Sequence, residues 1–321
     1  MFLFFSIILL SSGKMVYNER KTGSRIGDKI MASLTKEQIA AVKAKGFLRN
    51  RGTECFSGRL VPAGCVFSAA DLKAVAELAE RFGSGKVAFT TRLTAEIVGI
   101  PFEQIDNAIG FAAEHNLYFG GTGAKIRPVT ACKGTTCVFG NCDTQGLAKK
   151  LHEEYYLGWQ TVTLPHKFKI AVGGCPNSCM KPSLNDFGIE AHRAPIYNPE
   201  ECRGCKRCAV EAACPVKAAA VTEGKLAISD ACITCGVCTG KCPFHAVAWE
   251  SPVRYRIFIG GTWGKTTRMG TPLSRMVTEE EIFPLLEKTL NWFRENSQGK
   301  ERLGSMIDRL GVEKLEADLG L

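Results

Sequence analysis

Apolar and polar positions alternate along this chain with two periods. In SAADLKAVAELAERFG, 68–83, apolar residues return every three to four positions, as on a helix with one buried face, and Gly83 supplies a stop. TKEQIAAVKAKG, from Thr35, predicts a shorter helix in which Thr35 and Gln38 form a capping box and Gly46 ends the turn. PFEQIDNAIGFAAEHN, 101–116, predicts a third helix with proline in its first turn, and TEEEIFPLLEKTLNWFREN, 278–296, a long one. Between them lie β-rich runs: KVAFTTR at 86–92, KFKIAVGG at 167–174, DFGIEAHR at 186–193 and VRYRIFIGG at 253–261. GGTGAK, 120–125, is a glycine-rich loop. Strands and helices that alternate in this way predict layered packing, α/β or α+β. Over 198–248 both periods fade and cysteine takes over, with strand character returning after it. This predicts a module inserted within a larger fold.

Length and overall composition are those of an ordinary globular protein: 321 residues, 45% apolar and 23% charged. Cysteine changes the picture. Fifteen of them, grouped in short runs, point to metal rather than to scattered disulfides, and thiolates used in this way predict a reducing, cytoplasmic setting. The formal charge is +9, of which residues 1–30 carry +3. The excess fits either a general basic surface or an offset for bound anions. Three 4Fe–4S cubes on thiolates bring about −6, which favours the second. Without an arginine-rich run or nucleic-acid motif, no nucleic-acid partner is expected. The apolar stretch Phe2–Leu10 is too short to span a bilayer and has no basic stretch before it. It predicts an extension ahead of a folded protein that begins near Met31, with an interfacial anchor as the alternative.

The module at 198–248 contains a repeat. Cys202, Cys205 and Cys208 are followed by Cys214-Pro215, and Cys232, Cys235 and Cys238 by Cys242-Pro243. Two-residue spacing lets three thiolates wrap one corner of a cubane, and the fourth ligand comes from the other run. One 4Fe–4S set is therefore Cys202, Cys205, Cys208 and Cys242; the other is Cys232, Cys235, Cys238 and Cys214. Paired zinc knuckles are the alternative, but zinc takes one set of four ligands per site and has no use for crossed triplets. Five residues separate Cys208 from Cys214, against three in the second run.

A second group lies upstream. PVTACKGTTCVFGNCDT, 128–144, and VGGCPNSCMKP, 172–182, supply Cys132, Cys137, Cys175 and Cys179, enough for a third cube. TTRLTAEIVGI (90–100), GGTGAKIRPVTACKG (120–134), LPHKFKIAVGGCPNSC (164–179) and FIGGTWGKTTRMG (258–270) stand in order around these cysteines. Together they resemble the sirohaem-containing sulfite and nitrite reductases, above all the anaerobic third-subunit and dissimilatory-like types, from about residue 50 to about 315.

The resemblance implies an α+β sulfite/nitrite reductase half-fold with an inserted two-cluster ferredoxin module. Its segments would be an extension (1–30), a ferredoxin-like half domain (31–125), the sirohaem/4Fe–4S domain in two parts (126–197 and 249–321) and the module (198–248). It also implies that Cys132, Cys137, Cys175 and Cys179 bind a 4Fe–4S cluster and that Cys179 bridges it to the sirohaem iron. The family spacing between the first two is commonly one residue longer, so Cys142 competes with Cys132 and Cys137. By motif position, Arg92, Arg127, Lys167 and Lys169 would hold the substrate anion, the lysines sharing one face of a strand. Sirohaem carries eight carboxylates, so Lys125, Lys133, Lys181, Lys265, Arg268 and the N–H groups of Gly120, Gly121, Gly123, Gly260 and Gly261 are candidates to receive them. Cys55 and Cys65 read as inert thiols.

The implied activity is six-electron reduction of sulfite to sulfide. Nitrite is the alternative substrate, and a polyferredoxin carrier without sirohaem the alternative class. No nucleotide or flavin motif appears, so electrons are expected from a ferredoxin or a flavoprotein/iron–sulfur subunit. One half-fold carrying both anion-binding bases and cluster cysteines predicts a homo-oligomer or a subunit of a complex.

Overall fold

A computed structural model describes residues 34–249 and 252–321. The expected N-terminal extension and its apolar stretch lie outside these residues.

The first layer is built from local signals. Helix α1 (Lys36–Ala44) starts at Thr35, whose hydroxyl accepts from the Gln38 N–H while the Gln38 side chain accepts from the Thr35 N–H. After β1 (Phe47–Arg49) and β2 (Cys55–Leu60), α2 (Ala69–Phe82) opens with the same reciprocal cap between Ser68 and Asp71. Gly83 ends it in extended backbone, packed where a Cβ would lie 2.9 Å from Ile97. Strands β3 (Val87–Phe89) and β4 (Ala95–Pro101) complete an antiparallel sheet of order β1-β2-β4-β3. Pro101 closes β4, and a short 3₁₀ turn precedes α3 (Ile105–Glu114). The helix therefore starts four residues later than the proline suggested. Phe47, Phe56, Leu60, Leu78, Ile97 and Ile100 are fully buried between this sheet and its helices. Each such side chain contributes about 1.5–3 kcal/mol.

The second layer is a mixed sheet. β5 (Thr130–Ala131), β6 (Ile170–Gly173) and β7 (Phe187–His192) run parallel, with α4 (Thr144–Leu151) between the first two. All positions of β6 and β7 are buried, as expected of strands covered on both faces. After β7 the chain leaves the sheet through β8 (Pro195–Tyr197), α5 (Ala209–Ala213), the hairpin β9 (Ala219–Thr222) and β10 (Lys225–Ile228), and β11 (Val247–Trp249). β11 pairs antiparallel with β8, which closes the excursion. β12 (Arg254–Ile259) then returns beside β7 in antiparallel register, Arg254 opposite His192 and Ile259 opposite Phe187, and β13 (Thr271–Pro272) adds the edge. Helices α6 (Glu279–Asn296), α7 (Leu303–Leu310) and α8 (Val312–Leu319) cover the sheet through Leu286, Leu290, Phe293, Leu303, Met306 and Leu315. The fold is α+β, and the cysteine-rich segment leaves and re-enters between two neighbouring strands. Among the described residues no helix is long and apolar enough to cross a membrane.

Candidate active site

The loop after β6 carries Cys175 and Cys179. Its backbone holds Ser178 at φ +52° and Lys181 at φ +48°, left-handed positions that cost non-glycine residues energy. Lys181 also precedes Pro182, a place that disfavours helical backbone of either hand. The turns are fixed by Ser178 N–H donating to the Cys175 carbonyl (3.1 Å) and Lys181 N–H to the Ser178 carbonyl (2.7 Å). The result is an exposed thiol at Cys179 facing a cavity of about 690 Å³. Cys132, Cys137 and Cys175 line the same cavity, Cys132 from the end of β5 and Cys137 from the turn that follows. All fifteen cysteines are free. Among the described residues no three His, Cys, Asp or Glu side chains form a single-ion site; the four cysteines share the wall of one cavity.

Cys142 is not part of this wall. It packs against the main core beside the Tyr255 hydroxyl, and burial pushes its thiol up to about 12. Cys65 does reach the wall, but its thiol donates to the Val129 carbonyl and accepts the Ala131 N–H, both at 3.1 Å. Burial raises its pKa to about 11, so it stays a neutral thiol.

Met180 lines both this cavity and a neighbouring one of about 240 Å³ walled by Arg92, Lys169, Lys181, Asn185 and Trp263. Arg92 and Lys169 in turn line a third, of about 260 Å³, with Arg59, Arg127 and Lys167. Five cations thus meet in one recess, which is linked to the cysteine cavity only through the middle one. Lys167 and Lys169 flank Phe168, whose bridge to Ile126 and burial in the core turn both lysines outward together. Regular strand begins only at Ile170.

The cations differ in freedom. Arg92 donates Nε and Nη2 to the Pro128 carbonyl (3.0 and 2.5 Å), Nη2 also to that of Ile170 (2.9 Å), and Nη1 to Asn185 (3.1 Å). It props three segments together and keeps one Nη1 N–H, enough for one bond to an anion but not for two-point chelation. Burial lowers its pKa to about 10. Arg127 donates Nη1 to the Gly121 carbonyl, while its buried Nε has no partner. Burial, then neighbouring arginines, lower the pKa of Lys167 and Lys169. The same causes, burial first, keep His166 neutral; its Nδ1 accepts the Lys167 N–H at 2.8 Å.

Two residues beneath the recess were not legible in the sequence. Asp186 is fully buried, accepts the Lys169 N–H at 2.9 Å, and pairs with Arg302 at 2.9 and 3.1 Å. Burial pushes its carboxyl up, and Arg302 opposes this. Arg59 was also missed; it reaches the recess from β2, paired across the sheet with Glu96 at 2.7 Å. No spacing rule links Arg59, Asp186 and Arg302, which lie far apart in the chain.

Most groups of the expected tetrapyrrole cradle have partners within the fold. Gly120 N–H donates to the Arg59 carbonyl (2.9 Å), Gly121 N–H to Tyr156 Oη (2.9 Å), Gly260 N–H to the Asp186 carbonyl (2.8 Å) and Gly261 N–H to the Asn185 carbonyl (2.9 Å). None of the four is left to hold a carboxylate. These glycines serve packing instead: a Cβ at Gly261 would strike the Ser183 and Asn185 carbonyls, and Gly260 (φ +78°) lies 2.9 Å below Gly304 of α7 by the same measure. Lys125 donates to the Gln160 carbonyl. Arg268 clasps Asp308 and the Gly260 and Met269 carbonyls. Gly123 (φ +81°) stands at an open turn, and Lys265 is exposed away from the three cavities. Lys133 lines the thiol cavity, and Lys181 lies over Trp263 (5.5 Å) at the middle one.

In the module, Cys214, Cys232, Cys235 and Cys238 line one small space, while Cys202, Cys208 and Cys242 pack with Cys214 and Cys238 on Val210, Ala219, Leu226 and Val247. The longer spacing from Cys208 to Cys214 is taken up by α5.

Comparison with known proteins agrees with this architecture. Residues 49–114 match the nitrite/sulfite reductase ferredoxin-like half domain, and 122–320 the nitrite and sulphite reductase 4Fe-4S domain. The chain is 30% identical to the coenzyme F420-dependent sulfite reductase of Methanocaldococcus jannaschii, over 83% of this chain but only 42% of that one. It is 30% identical to one subunit of the anaerobic sulfite reductase of Salmonella typhimurium, over 81% of each. The crystal structure of dissimilatory sulfite reductase I shares the fold, with TM-score 0.68 at 22% identity over 83% of this chain and 69% of that one. With both domain matches in sequence order around the cysteine cavity, the chain belongs to the nitrite and sulfite reductase family of oxidoreductases.

Proposed function

We propose that the chain reduces sulfite to sulfide with six electrons at a coupled sirohaem–4Fe–4S centre fed through its ferredoxin module. One observation carries this reading: the recess of five cations shares Arg92 and Lys169 with a middle cavity, and that cavity shares Met180 with the one lined by four thiols. Cys132, Cys137, Cys175 and Cys179 would hold the cube, and the exposed Cys179 would be shared with the tetrapyrrole iron. Lys133 and Lys181 remain as partners for its carboxylates. When bound, this pair of groups supplies the electrons and the site at which sulfur is held.

The chain's own part is charge and protons. Lys167, Lys169 and Arg127 present cationic groups to the sulfite oxygens as these leave as water, and the two ammonium groups can donate protons. Arg92 adds one N–H and fixes the walls. Sulfite is preferred to nitrite because two relatives at 30% identity are named sulfite reductases. The reductant would be a ferredoxin or a flavin or iron–sulfur subunit, with the chain acting as a homo-oligomer or within a complex.

The lysines give this reading a pH signature. Only their protonated forms attract the dianion, and burial places their deprotonation below the ordinary lysine value of about 10.4. As pH rises through that lowered range, protons leave and the attraction is lost. KM for sulfite, measured with reduced methyl viologen above the second ionisation of sulfite, is expected to rise steadily towards pH 10. A flat KM across that range would remove the lysines from the anion site. Rates on nitrite in the same assay separate the two substrates.

A further inference from the structure

One residue joins a cluster-ligand segment of the inserted module to the loops that carry the upstream cysteines. Asn141 follows the Cys137 turn. Its Nδ2 donates to the Cys235 carbonyl at 3.3 Å and to the Ala191 carbonyl at 3.5 Å. Its backbone N–H donates to the Gly174 carbonyl at 2.8 Å, one peptide from Cys175, and the preceding Gly140 N–H donates to the Cys137 carbonyl at 2.9 Å. One residue therefore joins the Cys235 segment to the Cys175 and Cys137 segments through a short run of bonds.

The packing around it is specific. Gly236 has φ +76°, and a Cβ there would lie 2.8 Å from Asn141 Oδ1, so the position after Cys235 has no room for a side chain. The same loop has a separate tether that does not reach the upstream cysteines. Arg193 N–H donates to the Thr234 carbonyl (2.8 Å), and the Thr234 hydroxyl meets His192 Nδ1 at 2.6 Å. His192 is in turn paired with Glu190 at 3.1 Å. Docking and connection are thus carried by different side chains.

We propose that Asn141 is the junction through which electrons pass singly from the cube of Cys214, Cys232, Cys235 and Cys238 to that of Cys132, Cys137, Cys175 and Cys179. The inference rests on the cluster assignment of the proposed function. In each step the module cube is oxidised by one electron and the upstream cube reduced by one. No bond breaks and no proton is needed. The module cube is refilled by an external low-potential iron–sulfur or flavin donor. Asn141 is a positioning residue: it acts through the hydrogen bonds it makes to the ligand segments.

The test uses the full chain, purified anaerobically with clusters loaded, and photoreduced deazaflavin as a pulsed one-electron donor. Freeze-quench EPR follows the electron from the module cubes to the upstream cube. Asn141→Ala and Asn141→Asp, which both lose the amide donor, are expected to slow this transfer about tenfold, the lower end of outer-shell effects. Iron content and the EPR spectrum of each cube stay as in the parent. Thr234→Val removes the hydroxyl contact to His192, the side-chain part of the separate tether, and is expected to transfer within about twofold of the parent, below that outer-shell range. Parental rates in both Asn141 variants would overturn the inference. So would equal slowing in Thr234→Val, which would reduce Asn141 to one tether among several. A chain that reduces sulfite yet shows no Asn141 effect sinks this inference alone. A chain without tetrapyrrole that still shows the effect sinks the sulfite reading alone.

Discussion

Cys179→Ser is expected to abolish sulfite turnover and to remove the tetrapyrrole absorption, while the iron of the ferredoxin module stays in place. The thiol is the exposed member of the four at the cavity, on a loop held open by left-handed residues on either side. If it ligates both the cube and the tetrapyrrole iron, its loss disturbs two groups at once. Iron should fall from roughly 13 per chain, three cubes and one further iron, towards roughly 8. Loss of an outer-shell partner alone costs about 10–100-fold in activity, so loss of a shared ligand should exceed that. Cys142→Ser is the control. That thiol lies outside the cavity in the core beside Tyr255, and its replacement should leave iron and visible spectrum as in the parent. Metal analysis and an absorption spectrum of the two variants check both outcomes. Iron loss in Cys142→Ser but not in Cys179→Ser would reverse the ligand assignment.

The double change Lys167→Ala/Lys169→Ala should act on chemistry without touching the clusters. The lysines hold the fold through their backbones, Lys167 N–H towards His166, Lys169 N–H towards Asp186 and the Lys169 carbonyl towards Phe187, and alanine keeps all three bonds. The Asp186–Arg302 pair below is unaffected, so the buried carboxylate keeps its partner. What is lost is positive charge at a partly desolvated recess, where removing one oxyanion-stabilising donor costs about 10²–10³ in rate. A fall of at least that size in kcat/KM is expected, with iron content and visible spectrum unchanged. The single variants need not sum to the double, because the two ammonium groups act on one anion. Parental kcat/KM in the double variant would show that sulfite binds elsewhere. Arg92 is a poorer choice for such a test, since its guanidinium also holds the Pro128 and Ile170 carbonyls together.

How much of this was legible in the sequence follows from how local each feature is. The Thr35–Gln38 cap is a contact three residues apart, and a helix begins where it predicts. The cysteine runs are short-range too, and Cys214 lines one small space with Cys232, Cys235 and Cys238. Pro101 misled because proline ends a strand as readily as it opens a helix; here it closes β4. The glycines of GGTGAK and FIGGTWG looked like anion cradles because glycine serves close backbone approach of any kind. What approaches is the chain's own Tyr156, Ser183 and Gly304. Arg59, Asp186 and Arg302 were invisible because only the packing of two sheets and a C-terminal helix brings them beside Lys167 and Lys169. Asn141 is equally silent: an asparagine beside a cysteine carries no signal until the module docks against it.

The account stands on one thiolate joining a 4Fe–4S cube to a tetrapyrrole iron. Metal analysis combined with visible absorption of the anaerobically purified full chain, supplied with sirohaem, tests this most directly. A strong haem-type band with roughly 13 irons per chain is the predicted result. Broad iron–sulfur absorption alone, with roughly 12 irons, would contradict it and leave an electron carrier built on the same fold.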